Sequence, residues 1–212
     1  MIRIVLADDH EIVRTGIRMM LESDPDVQVV GEAADGSQAY SLVAREKPDV
    51  LLLDISMPPG QNGLVTCEKV TEDFPATKVI VLTMFAEPDY LLFTLRGGAS
   101  GYVLKNSSPT QLRSAVHAVA EGDTFIDEKM SELLSRQLAE TGHGQSIQKL
   151  TGREIEVLQL LARGFTNKEI SEKLFLSVKT IEAHRSKIYQ KLNIKTRAEL
   201  VDYAIRHKLM EL

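Results

Sequence analysis

The chain has 212 residues, 43% hydrophobic and 26% charged, with a formal net charge of −5; this length suits one or two globular domains. A single cysteine, Cys67, excludes an intramolecular disulfide and any multi-cysteine zinc site. No apolar run approaches membrane-spanning length, and Met1-Ile2-Arg3-Ile4 runs straight into a strand pattern without the features of a signal peptide, so a cytoplasmic protein without membrane contact is expected.

Strand-like runs over 2–7, 27–32, 49–53, 78–82 and 101–104 are short and rich in Val, Ile and Leu, as in strands buried on both faces. Helical patterns lie between and after them, near 11–22, 36–46, 63–72, 87–97 and 109–121, with Gly97-Gly98 and Gly122 at helix ends. Five such repeats predict a doubly wound α/β domain over 1–125, built on a five-stranded parallel sheet. Asp127 to Glu140 fits a polar amphipathic helix, and Thr141-Gly142-His143-Gly144-Gln145-Ser146 reads as a flexible connection, so 126–147 is assigned as linker.

From Leu150 the pattern is helical throughout, predicting a smaller all-α domain of four helices over 148–212. Thr151-Gly152-Arg153-Glu154 has the form of a capping box. The helix behind it carries Ile155, Leu158, Leu161 and Ala162, and Gly164 ends it. Thr166 or Asn167 caps a second helix bearing Ile170 and Leu174. The turn Phe175-Leu176-Ser177 leads into a third, Val178 to Leu192, with an apolar face of Val178, Ile181, Ile188 and Leu192. The last, Arg197 to His207, packs through Leu200, Val201, Ala204 and Ile205. Residues 150–212 hold 12 Lys and Arg against 8 Asp and Glu, a balance of +4; the remainder holds 13 against 22, a balance of −9. Such an asymmetry suggests two domains with different partners.

The first domain concentrates chemistry at its strand ends. Ile2 to Ala7 runs into Asp8-Asp9, Val50 to Leu53 into Asp54, and later strands end at Thr83 and just before Lys105. In an open parallel sheet, ligands bind outside the carboxyl ends of the strands. Three carboxylates, a hydroxyl and an ammonium gathered there suit a divalent cation and a transferable phosphoryl group. An aspartate can attack phosphorus and form an acyl phosphate. Magnesium would neutralise the incoming charge, held by Asp9 and Asp54 directly, Asp8 through water and the Ser56 backbone carbonyl. Lys105 would place a positive charge on the phosphate, and Thr83 a hydroxyl. Singly, each residue has a plainer use. Asp8-Asp9 suits capping of the next helix, Lys105 a solvated surface, and Thr83 packing or capping.

These motifs carry a resemblance. Asp8-Asp9-His10, Leu53-Asp54-Ile55-Ser56-Met57-Pro58, Leu82-Thr83 and Tyr102-Val103-Leu104-Lys105 make residues 1–125 similar to the receiver domain of two-component response regulators. The resemblance implies that Asp54 accepts a phosphoryl group from a histidine kinase. It also implies that Thr83 and Tyr102 form a switch that reshapes one face of the domain, a two-state element biased by a new charged group. Tyr102 equally fits a half-buried sheet aromatic. The loop Pro58-Pro59-Gly60-Gln61-Asn62-Gly63 is one residue longer than the family's usual one.

In the helical domain, two helices joined by a short turn suggest helix-turn-helix DNA binding, although a basic helix face is commonly just solvated. Leu150-Thr151-Gly152-Arg153-Glu154, Gly164-Phe165-Thr166-Asn167-Lys168-Glu169-Ile170 and Ser177-Val178-Lys179-Thr180-Ile181-Glu182-Ala183-His184 resemble the LuxR-type output domain. The resemblance implies a recognition helix beginning at Val178, with Glu182, Ala183 and Ser186 toward base edges. Thr166, Asn167, Lys168, Lys179, Thr180 and Lys187 become candidate phosphate contacts, and Val178 and His184 are further candidate DNA-binding residues on the same helix. It also implies dimerisation on double-stranded DNA through the last helix, at residues such as Val201 and Ala204; contact with RNA polymerase is compatible.

The whole arrangement resembles the nitrate/nitrite-regulator subgroup, with Gram-positive regulators of nitrogen and oxygen response the most similar and envelope-stress regulators also near. The expected function is therefore a phosphorylation-activated transcriptional regulator and not an enzyme. Two alternatives stand beside it: a constitutive DNA-binding protein with a non-signalling receiver, and an aspartyl-phosphate phosphohydrolase. Serine at 56, where such hydrolases place a second aspartate, argues against the latter.

Overall fold

The computed structural model describes residues 1–57, 63–84, 86, 88–141, 150–207 and 209. It divides into two compact units, Met1–Arg136 and Gln137–Leu212. The first holds strands β1 (Ile2–Ala7), β2 (Val27–Ala33), β3 (Val50–Asp54), β4 (Lys78–Thr83), β5 (Gly101–Leu104) and β6 (Phe125–Ile126). They form one parallel sheet in the order β2-β1-β3-β4-β5-β6. The chain winds outward from β1 to β2, then crosses to β3 and continues the other way. The reversal lies between β1 and β3, where a crevice opens at the strands' carboxyl ends.

Helices α1 (Glu11–Glu22), α2 (Gly36–Glu46), α3 (Gly63–Asp73), α4 (Pro88–Arg96) and α5 (Pro109–Ala120) connect the strands. All of β3 is buried, as its unbroken apolar run requires. Ile4, Leu6, Leu52, Ile80 and Val103 form one core with Ile17 and Leu21 of α1 and Leu112, Val116 and Val119 of α5. At about 1.5–3 kcal/mol for each large side chain fully buried, this core is what holds the strand ends in place. Asp35 caps α2 by accepting the N–H groups of Ser37 and Gln38, and Ser108 caps α5 in a capping box with Gln111.

The sheet has six strands where the sequence predicts five. Gly122, at φ +101°, turns the chain after α5, and the N–H groups of Phe125 and Asp127 donate to Ser100 O and Tyr102 O. Two residues are too few to leave an alternation pattern, so β6 is set by this pairing and not by its own periodicity. The amphipathic helix expected next is α6 (Glu128–Thr141), and the division between the two units falls within it. The longer loop at 58–62 and the glycine-rich connection, apart from Thr141, lie outside the described residues.

The second unit contains α7 (Gly152–Ala162), α8 (Asn167–Leu174), α9 (Val178–Leu192) and α10 (Arg197–Arg206). Thr151, Thr166 and Thr196 each form a capping box with the glutamate three residues on, and Ser177 caps α9. Such a cap stabilises a helix by about 1 kcal/mol, which matters for α8 with eight residues. Ile155, Leu158, Ile170, Ile181, Ile188, Leu200 and Ala204 are buried together as this unit's core residues. Two residues assigned to apolar faces are instead exposed, Val178 at 40% and Ile205 at 38%. Val178 is the first residue of α9, and Ile205 the last but one of α10.

Candidate functional site

The register Ala7↔Leu53 sets the ends of β1 and β3 side by side, which brings Asp8 next to Asp54. Both are buried, Asp8 completely. Lys105, just beyond β5, has its N–H bonded to Thr83 O at 2.8 Å. Its ammonium lies 2.8 Å from Asp54 Oδ2 and 2.6 Å from Asp8 Oδ2. Four strand ends thus converge as the sequence suggested. Lys105 is not a solvated surface residue, since its side chain is only 11% exposed.

Burial raises the Asp54 pKa, and the nearby Lys105 only partly opposes this. Burial pulls Lys105 down, but Asp54 and Asp8 together outweigh it and hold the ammonium above its usual value. One cation therefore serves two carboxylates, leaving the pocket with excess negative charge. Ser56 is exposed, and its N–H turns back to Asp54 Oδ1 at 3.3 Å. Thr83 and Tyr102 are fully buried, so Tyr102 is not a half-exposed sheet aromatic.

The pocket fits a hard divalent cation. Asp9 Oδ1 is buried with no hydrogen bond among the described residues and meets His10 Nδ1 at 2.8 Å, while Asp8 Oδ2 shares the Lys105 ammonium, 2.6 Å away, with Asp54. Ligand atoms of Asp8, Asp9 and His10 lie within 4.8 Å of one another. Buried carboxylate oxygens left in this state favour a bound cation.

Three neighbouring residues support the pocket. The His10 N–H donates to Asp8 Oδ1 at 2.8 Å and Arg14 Nη1 to Asp8 O at 2.6 Å, fixing the first carboxylate from the start of α1. Gly63 passes so close to β3 that a Cβ there would lie 2.0 Å from Asp54 O. Its N–H bonds Ile55 O. In the sequence Gly63 stands as the glycine closing the loop compared with the receiver family, with no sign of its approach to Asp54.

In the second unit, Lys179, Glu182, Ala183, Ser186 and Lys187 are exposed along α9, opposite the buried Ile181 and Ile188. Lys168 on α8 and Val178 are exposed as well, while Asn167 and Thr180 are half-buried. The hydroxyl of Thr166 is engaged in its cap with Glu169, and that of Thr180 meets Ser177 Oγ at 2.8 Å. His184 departs from the exposed stripe: it is half-buried, and burial chiefly lowers its pKa. A neutral, partly covered imidazole suits packing better than a phosphate contact. Glu154, buried, accepts from Lys191 Nζ, and Arg153 Nη2 donates to Leu174 O, tying α7 to α9 and α8. Ala204 is fully buried within the unit, so it offers α10 no free surface; Val201 is half-buried.

A five-helix-flanked parallel sheet with this acidic pocket, followed by a helix-turn-helix unit, defines a signal-receiving DNA-binding protein. The chain belongs to the response regulators: residues 4–117 match the response regulator receiver domain, and residues 148–204 match the bacterial regulatory proteins of the luxR family. Oxygen regulatory protein NreC of Staphylococcus carnosus is 49% identical over 215 residues, covering 99% of each chain. The protein of the same name from Staphylococcus aureus is 48% identical over the same span and coverage. Among solved structures, RcsB of Salmonella enterica serovar Typhimurium, bound to promoter P1flhDC with the phosphomimetic BeF3−, is 35% identical with a TM-score of 0.70, over 95% of this chain and 97% of that one. Among the described residues, no helix is long and apolar enough to cross a membrane.

Proposed function

We propose that Asp54 is the phosphoacceptor of this response regulator and that a histidine kinase is the donor. A carboxylate oxygen of Asp54 attacks phosphorus, the bond from phosphorus to the kinase imidazole breaks, and the imidazole leaves. The observation that carries this reading is the buried Asp54 sharing the Lys105 ammonium with Asp8. Lys105 is placed to take up charge on the transferred group, and Thr83 stands at the neighbouring strand end. Asp8, Asp9, Asp54 and the Ser56 carbonyl would hold Mg2+, which supplies charge neutralisation for the incoming phosphoryl oxygens. Thr83 and Tyr102 respond as the switch pair.

The output is double-stranded DNA, read by α9 through Glu182, Ala183 and Ser186, with Lys168, Lys179 and Lys187 on phosphates. The protein acts as a homodimer in the cytoplasm, where RNA polymerase is within reach. Position 56 offers no second acid or base for turnover, which weighs against a phosphohydrolase. The pocket's complete charge set weighs against a non-signalling receiver.

The test is DNA affinity before and after treatment with acetyl phosphate and Mg2+, on fragments selected from a random pool by the treated protein. Affinity should rise on treatment in the wild type and stay unchanged in Asp54→Ala. An equal rise in both would overturn the assignment of Asp54.

A further inference from the structure

The first turn of α6 is fastened to the β5 end of the acidic pocket. The Asp127 N–H donates to Tyr102 O at 3.0 Å. Asp127 Oδ1 accepts the N–H of Lys129 at 3.1 Å, and its carbonyl accepts from Met130 and Ser131, so this residue starts the helix. The remaining oxygen, Oδ2, accepts the Ser107 hydroxyl at 2.5 Å, in the range of a hydroxyl bonded to a carboxylate. Asp127 is 4% exposed, so water competes little for that bond. Ser107 lies two residues past Lys105, and its own N–H is held by Leu104 O at 2.9 Å. Ser107 and Asp127 line an open surface depression together with Asn106, Gln111, Glu128 and Glu132.

We infer that Ser107 and Asp127 form a latch through which the state of Asp54 reaches α6, the helix that leads along the chain to the DNA-binding unit. The inference rests on the assignment of Asp54 as phosphoacceptor. With Asp54 unmodified, Lys105 is held between two carboxylates, and the following turn presents Ser107 to Asp127. A phosphoryl group on Asp54 draws the ammonium toward its own oxygens. The turn at 105–107 follows, the Ser107 bond lengthens, and the start of α6 loosens. Ser107 is a positioning residue, acting on α6 through Asp127 and touching no reacting atom.

Hydrogen exchange on the full chain tests this, read over 129–136 with and without acetyl phosphate and Mg2+, with intact mass taken on the same samples. In the wild type, exchange there should quicken about tenfold on phosphorylation, the scale set by loss of one charge-assisted hydrogen bond. Ser107→Ala keeps the Asp127 cap and removes only the latch. It should take up the phosphoryl group as the wild type does, exchange fast beforehand, and change little afterwards. Ser107→Thr should restore the wild-type response, and Asp127→Ala should exchange fast in both states. The latch is overturned if Ser107→Ala matches the wild type in both states, or if wild-type α6 is unmoved while the mass shows the adduct. Absence of the adduct in the wild type overturns the phosphoacceptor reading together with the latch, and the mass separates the two failures.

Discussion

Replacing Asp54 by Asn should make the receiver unit more stable at neutral pH, although it removes a salt bridge. Asp54 lies 2.8 Å from the Lys105 ammonium, which is also 2.6 Å from Asp8. With an effective dielectric constant of about 20, the lost attraction to Lys105 is roughly 6 kcal/mol, and the relieved repulsion from Asp8 roughly 3 kcal/mol. Coulomb terms alone thus favour the aspartate by only about 3 kcal/mol. Burial of an ionised carboxylate costs several kcal/mol, so its removal decides the sign. The upward displacement of the Asp54 pKa, caused first by burial, points the same way. A net gain of about 1–3 kcal/mol corresponds to roughly 3–10 °C in the midpoint of a unit this size. The assay is scanning calorimetry of the receiver transition in chelator, over a pH series. A carboxyl whose folded pKa is raised contributes stability below its unfolded value and loses it as pH rises through the folded value. The advantage of Asn should therefore be greatest near neutrality, shrink on acidification as wild-type Asp54 is protonated, and narrow when Mg2+ is added. An Asn variant no more stable than wild type at neutral pH, or an advantage that grows on acidification, would refute the reasoning.

Lys105→Ala leaves Asp8 and Asp54 buried without their shared cation, and should cost about 3–5 kcal/mol in chemical denaturation, with Mg2+ recovering part of it. Phe175, 92% exposed, holds φ +52° at the end of α8. Glycine there relieves a left-handed conformation at little loss of contact, and Phe175→Gly should raise the stability of the DNA-binding unit by about 1 kcal/mol in thermal melts. Lys179→Ala should weaken binding about equally across DNA sequences and flatten the plot of log affinity against log salt by about 1, measured by fluorescence anisotropy.

Much of this was legible because unbroken apolar runs end abruptly in charge. Val50 to Asp54 gave both a strand and the site at its end, and the spacing from Thr151 to Glu154 marked the start of α7. What stayed hidden depends on contacts between segments distant in the chain. β6 exists only through pairing with β5, and the need for glycine at 63 arises from the backbone of Asp54. Val178 has the right spacing for α9's apolar face but, as the helix's first residue, stays 40% exposed, and His184, on the same helix, is half-buried. Periodicity assigns a residue to a face; it does not say how far along the helix that face is covered.

The most direct measurement is intact mass followed by site mapping, after incubation with acetyl phosphate and Mg2+, on the wild type and Asp54→Asn. One added phosphoryl group on the wild type, located at Asp54 and absent from the variant, is the predicted result. A folded wild-type protein that takes up no phosphoryl group, or takes it up equally in the variant, would contradict the account.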